Sequence, residues 1–92
     1  MMKFEITHEP DVVGQKIFIK IVTDANRYIT SVTTTLDGFR LASDVPATNS
    51  TKFDRHFRQA GGYSPGNVHK LIVETTDNNG SIENATSIWV DD

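Results

Sequence analysis

Leu36-Asp37-Gly38-Phe39 and Thr76-Asp77-Asn78-Asn79-Gly80-Ser81 are the two stretches that decide the fold. Each lies between runs in which apolar residues recur at every second position. Val32, Thr34 and Leu36 precede the first, Leu71 and Val73 precede the second, and Ile82, Ile88 and Val90 follow it. A returning antiparallel strand needs a turn with positive φ, which Gly supplies without steric cost and which Asn or Asp tolerate. Both stretches therefore predict β-hairpins.

Further strands emerge on either side of these turns. Ile17, Ile19 and Ile21 alternate with Phe18, Lys20 and Val22 over 15–23, a β-branched pleat buried on one side. Phe4 and Ile6 mark an earlier strand over 3–8, ended by Glu9-Pro10. Strands over 28–36 and 39–42 flank Asp37-Gly38, and Phe53 and Phe57 share a face over 51–58. Strands over 67–76 and 81–90 flank the second turn, with Ile82, Ile88 and Val90 expected inward. Residues 43–50, with Pro46 and Asn49, read as loop, as does Gly61-Gly62-Tyr63-Ser64-Pro65-Gly66. Seven short strands without helical periodicity predict an all-β, seven-stranded antiparallel immunoglobulin-like β-sandwich. Its expected core is Ile17, Ile19, Ile21, Val32, Leu36, Phe53, Phe57, Leu71, Val73 and Ile88.

Ninety-two residues fit one domain, 1–92, with no room for a second core. The absence of cysteine excludes a disulfide framework, a thiolate metal site and a cysteine nucleophile. A net charge of −3 with both signs interspersed leaves no basic stripe for phosphates, so nucleic acid is not an expected partner. Met1-Met2-Lys3-Phe4-Glu5-Ile6 has no apolar signal-peptide region, and no run approaches the ~20 apolar residues of a membrane span. Membrane insertion is not expected, and nothing in the chain points to a compartment.

Ile29-Thr30-Ser31-Val32 followed by Leu36-Asp37-Gly38 resembles the third strand and hairpin of bacterial immunoglobulin-like domains of the E-set type. Pro65-Gly66, His69, Leu71, Val73, Asp77 and Gly80 resemble the ending of the same modules. The resemblance implies a non-enzymatic binding or spacer module working with another protein or a parent chain. Val32-Thr33 with Asp37-Gly38, Phe53 with Phe57, and Asp77-Asn78-Asn79-Gly80 are also similar, in order and spacing, to the SoxZ subunit of the thiosulfate-oxidation carrier. That second resemblance implies an alternative function, a docking subunit of a sulfur-carrier or redox assembly whose partner holds the reactive cysteine. Arg27-Tyr28-Ile29 sits where the similarly built superoxide reductases place a His-Tyr-Ile ligand segment. With Arg in place of that histidine and no cysteine, an iron site of that kind is excluded.

His8, His56 and His69 fall on three different expected strands, without the convergent spacing that zinc needs. Asp77, Asn79 and Gly80 resemble half of a calcium loop, and Asp91 and Asp92 are the carboxylates that a neighbouring terminus would bring. Turn chemistry alone accounts for the first three. In Phe53-Asp54-Arg55-His56-Phe57-Arg58, Arg55 falls on the Phe side, so it must reach the rim, pair with a carboxylate or mark a bulge. No Ser-His-Asp order, paired buried carboxylates or phosphate-cradling loop can be assembled, so neither catalysis nor a cofactor is expected.

Trp89 is the remaining oddity. If Ile88 and Val90 point inward, Trp89 points outward from the last strand, onto a face shared with Ile72, Thr33 and Thr35. Such a face would bind a partner protein or a glycan. A register slip of one residue would instead send Trp89 into the core.

Overall fold

The computed structural model describes residues 2–10, 15–24, 26–60 and 64–91. It contains β1 (Lys3–Pro10), β2 (Gln15–Val22), β3 (Ile29–Leu36), β4 (Phe39–Asp44), β5 (Lys52–Ala60), β6 (Val68–Asp77) and β7 (Ile82–Val90). They form two antiparallel sheets, β1-β2-β5 and β4-β3-β6-β7, packed face to face. The molecule is a short rod of 43 × 19 × 18 Å. Of the loop over 61–66, residues 61–63 lie outside the described part.

Turn chemistry sets the registers. Asp37 and Gly38 have φ of 51° and 87°, the two positive values that a type I′ hairpin demands, and they pair Leu36 with Phe39. In the second hairpin only Gly80 is left-handed, at φ 80°. Gly80 N–H donates to Asp77 O and Asp77 N–H donates to Ser81 O, each at 3.0 Å. This closes a three-residue loop with the glycine as bulge. The Asp77 carboxylate holds the loop by accepting from Asn79 N–H and Ser81 N–H, each at 2.9 Å.

The core is Met2, Ile17, Ile19, Ile21, Ile29, Val32, Leu36, Leu71, Val73 and Trp89, flanked by the half-buried Phe4, Ile6, Leu41, Phe53 and Phe57. Each aliphatic side chain fully buried here is worth about 1.5–3 kcal/mol of transfer free energy. The expected core holds except at Ile88, which is 63% exposed. Ile82 and Val90 are exposed as well, so β7 carries the reverse of the expected register. The cause lies in the hairpin. Closure at Asp77–Ser81 places Leu71 opposite Ser87 and Val73 opposite Ala85. Directly opposed residues share a face, so Ala85, Ser87 and Trp89 turn inward and Ile82, Ile88 and Val90 turn out.

Arg55 resolves as one of the expected alternatives. Its guanidinium lies 4.8 Å above the Phe57 ring and 3.6 Å from the Asp44 carboxylate of the opposite sheet. The cation thus reaches the rim between β5 and β4 with its stem along the apolar face.

Candidate functional site

Trp89 is 6% exposed and therefore does not centre a contact surface. Its ring stacks on His8 of β1, with centroids 4.4 Å apart and 20° between planes. The His69 ring lies 5.5 Å away on the other strand of the hairpin. The indole closes the gap between β1 and β7 at one end of the sandwich, where Ala85 and Ser87 lower on the same strand are small.

A polar cluster surrounds this plug. Both His69 ring nitrogens are engaged, Nδ1 with Asp37 Oδ2 at 2.7 Å and Nε2 with Asp91 Oδ2 at 2.8 Å. The buried Asp91 carboxylate also accepts from Gln15 Nε2 at 2.8 Å and from Ser64 N–H at 3.2 Å. Asp37 Oδ1 accepts from Lys70 N–H at 2.8 Å. Burial opposes the imidazolium, but the two carboxylates outweigh it and hold the His69 pKa above the ordinary histidine value. Burial likewise opposes the Asp91 carboxylate, and His69 together with Ser64 N–H outweighs it and holds that pKa low. His69 therefore caps the end of the sandwich, as a charged clip joining the β3–β4 turn, β6 and the segment after β7. With both nitrogens committed, it has no free lone pair for proton transfer.

The opposite end carries a second cluster. Arg27 reaches Asp77 through Nε at 2.8 Å and Glu83 through Nη2 at 2.6 Å, and Glu83 accepts from Met2 N–H at 3.2 Å. The Glu83 pKa is lowered chiefly by the Arg27 hydrogen bond. Desolvation works against the Asp77 carboxylate, and the Arg27 bond with the two loop amides lowers its pKa nonetheless. A guanidinium thus occupies the side of Asp77 that a calcium ion would need. Asp91 lies at the far end of β7, roughly 30 Å away at about 3.3 Å per residue, so it does not approach the Asp77 loop as the expected alternative required. Asp92 lies outside the described residues. Among the described residues no three His, Asp or Glu side chains converge as metal ligands.

Ile72, Thr33 and Thr35 do come together. Thr35 pairs with Ile72 and Thr33 with Glu74, Ile72 pairs with Thr86, and all lie on the outer face of the four-stranded sheet. Trp89 is absent from that face. Its place is taken by two residues expected inward, Ile88 and Val90 of β7, which together with Val68 opposite Val90 on β6 are 63%, 55% and 63% exposed. Reading the register from the hairpin closure would have found them, because Asp77-to-Ser81 turn geometry fixes every pair above it.

No protein-family model matches the chain, and the search of curated proteins finds no match. Among solved structures the chain is similar to a fibronectin(III)-like module of CbhA from Clostridium thermocellum, with a TM-score of 0.54 and 18% identity over 99% of this chain and 96% of that one. The likeness spans the whole sandwich and supports the immunoglobulin-like architecture. It carries neither the E-set assignment nor the resemblance to SoxZ. This chain has the fold of a fibronectin(III)-like module.

Proposed function

We propose that this chain is a non-catalytic binding or spacer module that contacts another protein through the outer face of its four-stranded sheet. The carrying observation is the division of its chemistry. Both clusters of ionisable groups are bonded internally at the two ends of the rod. Val68, Ile72, Ile88 and Val90 stand together on one face beside Thr33 and Thr35, whereas the exposed Val22 and Val45 lie scattered elsewhere. Apolar side chains gathered on one face, when the core is already complete, point to contact with another surface. A protein partner suits this face better than a glycan. The outward positions of β3, β6 and β7 are aliphatic, Thr, Ser, Asn or charged, with no aromatic ring on which a sugar would stack.

The experiment compares three forms of the chain as bait against an extract of its own cells, with a glycan array in parallel. Ile88→Glu alters the proposed face, and Lys20→Glu on the outer face of the other sheet serves as control. Capture of a defined protein that is lost with Ile88→Glu and kept with Lys20→Glu supports the reading. Equal capture by all three forms, or glycan binding unaffected by Ile88→Glu, contradicts it.

A further inference from the structure

The four sheet edges differ in how they are guarded against pairing with another strand. β1 carries Lys3, Glu5, Glu9 and Pro10; β5 carries Lys52, Asp54, Arg55 and Arg58; β4 is six residues long and its register is broken between Thr34 and Thr35. These are the devices that keep an edge from joining another chain. β7 has the fewest: a single charge, Glu83, turned inward and held by Arg27. Its sequence Ile-Glu-Asn-Ala-Thr-Ser-Ile-Trp-Val contains neither Lys, Arg nor Pro, and its register with β6 is unbroken from Ile82 to Val90.

Its backbone parity shows what it offers. Asp91 N–H donates to Asn67 O and Asp91 O accepts from Gly66 N–H, and at the other end Ser81 O accepts from Asp77 N–H. Odd-numbered residues therefore turn their peptide groups toward β6. Alternation then directs the N–H and C=O of Ile82, Asn84, Thr86, Ile88 and Val90 to the open edge. These same residues carry the outward side chains.

The geometry points to a self-pairing edge: two copies of this chain join antiparallel through β7, about a two-fold axis at Thr86, into one continuous eight-stranded sheet. Only this centre overlaps the whole of both strands. It sets Ile82 opposite Val90 of the second copy, Asn84 opposite Ile88, and Thr86 opposite itself. Every pair is of the hydrogen-bonded kind, exchanging both N–H···O=C bonds. Apolar pairs flank the joint at both ends, and the Thr–Thr pair at its centre is a favourable cross-strand pair. Charge is compatible with the arrangement. Glu83 is the one ionised side chain on β7, it turns inward, and Arg27 holds it at 2.6 Å. No like charges on the two strands meet across the axis. A second copy fits because the strand is complementary to its own reverse, as an isologous contact requires. A single strand edge belongs with contacts below about 1,200 Å², so the dimer is transient. The outer-face reading concerns side chains and this inference concerns the open backbone edge; either can fail without the other.

Sedimentation velocity on the full chain tests it, across tens of micromolar to millimolar concentration. The wild type is expected to move with concentration from the 10.2 kDa monomer toward twice that mass. Thr86→Lys and Thr86→Glu each place like charges directly opposite across the axis and are expected to weaken association by an order of magnitude or more. An equimolar mixture of the two is expected to associate again as a heterodimer. Circular dichroism of each variant establishes that it is folded. A wild type that stays monomeric to the highest concentration overturns the proposal. So does a dimer indifferent to both charges, or a mixture that associates no better than its components.

Discussion

Gly38→Ala probes the hairpin on which the fold is built. A Cβ at Gly38 meets nothing within 4 Å, so the substitution creates no clash with a neighbour. Its cost comes from the backbone alone. At φ 87° an L-residue with a Cβ is held in the left-handed region, at roughly 1–2 kcal/mol. In a domain of this size each kcal/mol moves Tm by about 4–8 °C, so the variant should melt about 5–15 °C below wild type. Gly38→Asn should lose less, because Asn tolerates that region. Thermal unfolding followed by far-ultraviolet circular dichroism measures both, and loss of the same core should leave the urea m-value unchanged. An alanine variant within ~0.5 kcal/mol of wild type would refute the argument. An asparagine variant less stable than the alanine one would also refute it, since it would mean that side-chain bulk rather than φ sets the cost.

Two further predictions follow from the ends of the molecule. Trp89→Ala should cost about 3–5 kcal/mol in urea unfolding, whereas Ile88→Thr on the adjacent, exposed position should stay within about 0.5 kcal/mol. The reverse order would mean that β7 is in the opposite register. In the pH dependence of Tm, His69 contributes below its unfolded value near 6.5, and that contribution is lost as pH rises through its raised folded value. Asp77, Glu83 and Asp91 have lowered values and contribute above the ordinary carboxylate range, losing this as pH falls through their folded values. Stability should therefore fall on both sides of a mildly acidic maximum, with His69→Gln flattening the alkaline limb and also weakening the Asp91 part of the acid limb, since His69 helps hold the Asp91 pKa low. An alkaline limb unchanged in that variant would remove His69 as its source.

The two turns and the β-branched runs made the sandwich legible in the sequence. Asp37-Gly38 and Asp77-to-Gly80 are local chemistry, and local chemistry is what a sequence displays. For β7 the sequence leaves two registers open: bulk hydrophobicity turns Ile82, Ile88 and Val90 inward over Ala85, Ser87 and Trp89, and the one-residue slip that sends Trp89 into the core is the register the structure has. The hairpin closure, also local, overrules that comparison: Ser81 opposite Asp77 carries Trp89 to the face of Leu71 and Val73. Thr33, Thr35 and Ile72 were placed together because β3 and β6 were read in the right register, and only the seventh strand beside them was inverted. The two ionic clusters were not legible. Asp37, His69 and Asp91 lie 32 and 22 residues apart, and Arg27 meets Asp77 across 50. Nothing in a local window signals such meetings before the strands are stacked.

The account stands on β7 turning Trp89 in and Ile88 and Val90 out, since both the proposed contact face and the proposed edge pairing rest on that register. Trp89 is the single tryptophan of the chain, so fluorescence reads its environment without any substitution. Measured at low concentration, to keep self-association out of the reading, the emission should be blue-shifted relative to indole in water. Iodide should quench it weakly, and it should become fully quenchable only on unfolding. Emission at the aqueous wavelength with ready iodide quenching in the folded monomer would place Trp89 on the surface and contradict the account.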